Sequence, residues 1–316
     1  MTFWLSSEHL ASQTVSTELQ WLIPVMKLTG VFAALPTSFD YLGDVYQAKI
    51  TQNVGRWNRA DLAGYLVAGR TGEGALLNIE EKLMVWELTA QEAKTGAVLL
   101  AGISSQGVQE TLELIKQAEK IGYHFAVVSP LSMENFTPDR ISLYYRSVAD
   151  QASLPIVIDN LSAGNPMHVP MTVMTALGEH PNIVAVVDGF TEGQSDLALL
   201  GALAKDFTVL VGDSPSPVPW LTAGSPGIIS GFAAMAPFFF LNLAEAVKTR
   251  EYNAAQDLER HAQKLVSLLL HHYGIPGLKY ALDLNGYYGG LARLPLSPLT
   301  SKAKQEIETA IYGIRS

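Results

Sequence analysis

The sequence predicts an α/β protein, a (β/α)8 TIM barrel with a C-terminal helical extension, on three observations. Short apolar runs recur from about residue 30 onward, and eight can be counted. Longer amphipathic stretches separate them, several closed by glycine. The runs themselves are almost continuously apolar, as strands covered on both faces are. Eight strand–helix units in 316 residues fit one barrel better than the competing doubly wound open sheet.

The runs are, in order, GVFAALPTSF (30–39), LAGYLVAGR (62–70), AVLLAGISS (97–105) and FAVVSPL (125–131). PIVIDN (155–160), NIVAVVDG (182–189), FTVLVGD (207–213) and GIISGF (227–232) complete the set. Between the third and fourth, VQETLELIKQAEKIG places Leu112, Ile115, Ala118 and Ile121 at helical spacing and ends on Gly122. Gly96 closes the preceding helical stretch in the same way. Past the eighth run, NAAQDLERHAQKLVSLLLHH, GLKYALDLNG and SKAKQEIETAIYGIR predict three further helices, linked by YYGGLARLPLSPLT. The expected organisation is an N-terminal extension over 1–28, the barrel over 29–252, and a helical region over 253–316 packed on the barrel.

Apolar residues make up 48% of the chain and charged residues 16%, enough for a sizeable core and far from disorder. Acids outnumber bases 30 to 21, for a net charge of −9 with no long block of either sign. Phosphate recognition needs a basic face, so nucleic acid is not an expected partner. The absence of cysteine removes disulfides, thiolate catalysis and cysteine-held zinc. The opening MTFWLSSEHLASQTVSTELQW lacks the charged start and unbroken apolar core of a secretion signal. No stretch reaches the roughly 18 consecutive apolar residues of a membrane span. The chain therefore reads as cytoplasmic, with no membrane partner.

In a barrel of this kind, chemistry gathers at the carboxyl ends of the strands. The first three runs end on Thr37 and Ser38, on Gly69 to Glu73, and on Ser104 and Ser105; the fourth ends on Ser129, Leu131 and Ser132. The remaining four end on Asp159 and Asn160, Asp188, Asp213 and Ser230. The AGRTGEG turn stands out, because its glycines let backbone amides approach a carboxylate or phosphate. It is not a P-loop, and a tight strand-to-helix connection is the plainer reading. Arg70 offers a fixed cation for a bidentate carboxylate, or a salt bridge to Glu73 or Asp159. The three strand-end aspartates suit helix capping or arginine pairing better than a hard cation. The histidines are scattered without an H-E-x-x-H pattern, His271 and His272 read as surface residues, and no G-x-S-x-G elbow exists. No metal or cofactor is expected.

The order and spacing of these motifs resemble the dihydrodipicolinate synthase / N-acetylneuraminate lyase family from Gly30 to about Ile314. GVFAALPTSFDYLGDV resembles its opening strand and Asp-x-x-Gly turn, and VAGRTGEGALLNIEEK its G-T-T-G-E signature. AGISSQGVQETLELIKQAEKIG resembles the third unit, VGDSPSPVPWLTAGSPGIISGFAAMAP the seventh and eighth, and IPGLKYALDLNGYYGGLARLPLSPLT the C-terminal helices. The resemblance implies a lyase scaffold, commonly a homodimer or homotetramer, in which a strand-six lysine forms a Schiff base with pyruvate or another 2-oxo acid. It also implies a tyrosine after strand four relaying protons and a turn holding the substrate carboxylate. On this alignment the lysine position is Val187, the tyrosine position Ser132, and the first threonine of the turn Arg70, while Thr71, Gly72, Glu73 and Asn160 are kept.

Valine cannot form an imine, and a serine hydroxyl is too weak an acid to replace a phenol. No lysine falls at a strand end; Lys279 lies in the C-terminal region. Three functions follow. The first is a carboxylate- or 2-oxo acid-binding protein without Schiff-base activity, whose contacts come from Arg70, Thr71, Gly72, Glu73, Ser132, Asn160, Asp213 and Ser230. The second is a lyase or dehydratase with a changed mechanism, using Asp159 or Asp188 as base and Arg70 as electrostatic partner. The third is an inactive structural or regulatory partner of an active homologue.

Overall fold

The computed structural model describes residues 27–131, 137–160, 168–189, 200–201 and 207–314. All eight apolar runs become strands: β1 (Gly30–Ala34), β2 (Gly64–Val67), β3 (Val98–Ile103), β4 (Phe125–Val128), β5 (Ile156–Asp159), β6 (Ile183–Asp188), β7 (Thr208–Val211) and β8 (Gly227–Ser230). Neighbours in sequence are neighbours in space, every pairing is parallel, and β8 returns to β1 to close the barrel.

Strand alternation decides what each side chain faces. Phe32, Leu66, Leu100, Phe125, Val127, Val157, Ala185, Val187, Leu210 and Ile229 pack together in the barrel interior. Their immediate neighbours, including Val31, Ala33, Val67, Ile158 and Val186, join the larger layer between barrel and helices. The same phase, carried past the strand ends, sorts the polar residues at the mouth.

The barrel is flanked by α1 (Gln47–Trp57), α2 (Ile79–Glu92), α3 (Val108–Ile121), α4 (Pro138–Ala149), α5 (Met171–Leu177), α6 (Pro217–Thr222), α7 (Gly231–Met235) and α8 (Pro237–Lys248). Local sequence sets several of their ends. Asn78 accepts the Glu81 amide at 2.8 Å while the Glu81 carboxylate accepts the Asn78 amide at 2.9 Å, a reciprocal cap that starts α2. Gly122, with φ 104°, ends α3 in the left-handed conformation that suits glycine. Thr137 caps α4 and Pro138 occupies its first turn.

The three C-terminal helices also form: α9 (Tyr252–Leu268), α10 (Gly274–Leu284) and α11 (Ser301–Ala310). A single wider turn, Leu269–Tyr273, joins α9 to α10 and leaves His271 and His272 exposed. This region is tied to the first barrel helix. The Asn53 side chain exchanges hydrogen bonds with both backbone groups of Tyr288, at 2.8 and 2.9 Å. Trp57 stacks on Tyr287, with ring centroids 5.2 Å apart, and donates its indole N–H to Ala234 O. Among the described residues, no helix is long and apolar enough to cross a membrane.

Candidate functional site at the barrel mouth

The turn between β2 and α2 is held in one conformation. Ala68 and Glu73 occupy the left-handed region, with φ 55° and 56°, at an energetic cost that only surrounding contacts can sustain. Any side chain at Gly74 would place its Cβ 1.9 Å from Ala68 O. The Thr37 hydroxyl donates to Gly72 O at 2.6 Å. Glu73 is the main anchor: Lys279 Nζ lies 2.5 Å from Oε1, and the Arg293 amide donates to Oε2 at 2.7 Å.

Both Lys279 and Glu73 are fully sequestered, with side chains 0% and 1% exposed. Lys279 also donates to Leu291 O at 2.8 Å, and burial pushes its ammonium down against the opposing pull of Glu73. The Phe39 ring takes Lys279 Nζ and the Arg293 guanidinium, each 4.4 Å from its centroid. Arg293 further binds Glu81, Leu76 O and Gly43 O. The Glu73 carboxylate thus anchors the turn and is not available to a ligand. Sequence reasoning missed Lys279 and Arg293 as partners of this turn. A signal existed for the first, since Lys279 lies on the helical stripe with Ile275 and Leu282, where a cation needs a buried anion.

At the mouth itself, Arg70 Nη2 donates to Asp159 Oδ1 at 3.1 Å, and the Ser129 hydroxyl donates to Asp159 Oδ2 at 3.0 Å. Of the two partners sequence offered Arg70, the structure selects Asp159. Opposite them, Asp213 Oδ1 accepts Ser230 Oγ at 2.5 Å and the Gly231 amide at 2.9 Å. Ser230 Oγ in turn accepts the Phe232 amide at 3.0 Å, so its proton is committed to Asp213. Burial pushes the Asp213 carboxyl up, with the Ser230 hydrogen bond and the Arg70 charge opposing.

Arg70, Thr71, Asp159, Val187 and Asp213 line one small cavity over the apolar floor of Ala34, Leu66, Val127 and Ile229. Its volume of about 10 Å³ is room for one water. Outside lies a groove of about 740 Å³ bordered by Lys82, Ser104, Ser105, Gln106 and Glu110. Arg70 and Asp159 are the residues common to both. Lys82 donates to Ser104 O at 2.7 Å, and burial lowers its pKa.

Of the predicted residues, Gly72, Glu73, Asn160, Asp188 and Ser230 are not among those lining the cavity. Asp188 and Asn160 fall one residue out of phase with the interior, which turns them between strands. Asp188 accepts Asn160 Nδ2 at 2.6 Å and the Gly189 amide at 2.7 Å, while Asn160 Oδ1 accepts the Val169 amide at 2.8 Å. Gly72 and Glu73 shape the turn, and Ser230 acts through Asp213. Ser132 lies outside the described residues. Among the described residues, no three His, Asp or Glu side chains gather as metal ligands would.

Comparison with known proteins places the chain in a family. The 4-hydroxy-tetrahydrodipicolinate synthase of Acidiphilium cryptum is 27% identical over 286 residues, covering 90% of this chain and 98% of the relative. The fold superposes on the dihydrodipicolinate synthase of Acinetobacter baumannii, solved with pyruvate, at TM-score 0.85 and 24% identity, over 91% of this chain and 99% of that one. It also superposes on the sialic acid aldolase of Ruminococcus gnavus at TM-score 0.82 and 19% identity, over 90% and 96% of the two chains. The sequence model of the dihydrodipicolinate synthetase family matches residues 27–313, barrel and C-terminal helices together, and the chain belongs to that family.

Proposed function

We propose that the mouth binds a small carboxylate of the 2-oxo acid type, held by Arg70, and does so without Schiff-base chemistry. The observation that carries this reading is the position of Arg70. Its side chain is 48% exposed, borders both the cavity and the groove, and already holds a carboxylate. An arriving carboxylate takes the place of Asp159, which keeps Ser129 as its partner. Thr71, on the wall of the same cavity, adds a hydroxyl.

Val187 occupies the interior position at the end of β6, and a hydrocarbon there forms no imine. The two buried lysines near the mouth are engaged, Lys279 with Glu73 and Leu291 O, and Lys82 with Ser104 O. On this reading the protein works in the cytoplasm, and the resemblance implies a homodimer or homotetramer.

Calorimetric titration with pyruvate, paired with borohydride reduction and intact mass, tests the proposal. The expected result is saturable binding, at least tenfold weaker in Arg70→Thr, and no mass adduct. A stoichiometric adduct would overturn the claim of lost imine chemistry. Equal affinity in Arg70→Thr would remove Arg70 from the site.

A further inference from the structure

Three acids end barrel strands or lie just beyond them, and their hydrogen bonds differ. Asp159 has one oxygen on Arg70 and the other on Ser129. Asp188 has one oxygen on Asn160 and the other on the Gly189 amide, and it does not line the cavity. Asp213 lines the cavity with both of its described donors on Oδ1, which leaves Oδ2 without a hydrogen bond among the described residues. The side chain cannot rotate to trade the two oxygens cheaply. Ser230 is itself fixed by the Phe232 amide, and both Ser230 and Gly231 belong to the start of α7. A carboxylate with one oxygen clamped and the other unbonded, on the wall of a cavity that a cation also lines, is arranged for proton transfer.

We infer that Asp213 is the catalytic acid–base residue of this mouth, its Oδ2 exchanging a proton with the carbon beside the carbonyl of a small acid held by Arg70. The inference rests on the carboxylate reading of Arg70 and adds a reaction to it. In the forward step Oδ2 takes a proton from that carbon. The C–H pair becomes the C=C bond of an enolate, and the carbonyl π pair moves onto oxygen, within the field of the Arg70 guanidinium. Return of the proton from Asp213 to carbon regenerates the acid, so no oxidant, reductant or co-reactant is consumed. Entry to Oδ2 requires the Arg70–Asp159 contact to part, which the ligand's own carboxylate brings about by replacing Asp159. The upward push of burial on the Asp213 carboxyl brings it closer to the operating pH of a general base. Ser230 is a positioning residue, since it reaches the ligand only through Asp213.

The test is proton NMR of pyruvate, 2-oxobutyrate and 2-oxoglutarate in D2O with the full chain, alongside calorimetric binding of the same acids. Asp213→Asn is the discriminating variant. Its side-chain oxygen can keep both the Ser230 and Gly231 hydrogen bonds, so only the acid–base function is removed. The expected result is loss of the C3 proton signal of at least one acid with the wild type. In Asp213→Asn the exchange falls at least a hundredfold while affinity stays within threefold. Equal exchange in both proteins overturns the assignment, as does an Asp213→Asn protein that loses binding along with exchange. Binding without exchange in the wild type also overturns it, yet leaves the carboxylate reading standing. Failure of all three acids to bind overturns both.

Discussion

At the residue scale, the mouth is set by a few side chains at the strand ends. Val187 ends its strand with a hydrocarbon on the cavity wall, and Arg70 brings a guanidinium to the same cavity from β2, across the barrel. Asp213 carries a cost that can be measured. Its folded pKa is raised above the ordinary carboxylate value of about 3.9, so its charged form is disfavoured in the fold. Below that ordinary value the acid is neutral in both states and the cost vanishes. As pH rises through the raised pKa the cost grows to its full size. Asp213→Asn is therefore expected to melt higher than the wild type at pH 7, with the two curves converging below about pH 4. A lower melting temperature for the variant at pH 7 would mean that the carboxylate is net stabilising. Much of this was legible beforehand. Arg70, Thr71, Asp159 and Asp213 were all found as strand-end residues. What could not be read was the phase that removes Asp188 and Asn160, because the register of a strand end depends on where its bulge and closing bonds fall.

At the element scale, the turn after β2 is a strained segment whose restraint comes from distant sequence. Lys279 on α10 and Arg293 beyond it hold Glu73, and Arg293 also reaches Glu81 on α2. Lys279→Met leaves a buried carboxylate unpaired and is expected to cost about 3 kcal/mol in urea unfolding. Adding Glu73→Gln should recover part of that loss, because the orphaned charge is then gone; an additive double variant would show that the two groups act independently. The Glu81 carboxyl is held down by its hydrogen bond with Arg293. Stability from that pair is present above the ordinary glutamate value of about 4.3 and fades as pH falls through the lowered folded pKa. Arg293→Ala removes it along with the bonds to Gly43 and Leu76, for an expected loss of about 2–4 kcal/mol. The C-terminal helices were legible as helices from their periodicity. Their role in bracing a turn some two hundred residues upstream was not, since no local pattern encodes a long-range ion pair.

At the scale of the whole molecule, the barrel and the C-terminal helices share side chains, with Trp57 and Asn53 meeting Tyr287 and Tyr288. Thermal unfolding followed by far- and near-ultraviolet circular dichroism is expected to show one shared transition, and separate transitions would mean that the helical region melts alone. The closure of the barrel is uneven. β1 and β8 are in register at four positions, from Gly30 with Gly227 to Ala33 with Ser230, whereas β7 and β8 pair only at Val211 with Ile228. A ring opens first where it is joined least, so slow breathing of this cylinder starts between β7 and β8. Amide deuteration read by mass spectrometry would show it as faster exchange across that seam than across β1 and β8. Asp213 and Ser230 lie on opposite sides of the same seam, and each breath that parts the strands loosens the grip on the acid between them.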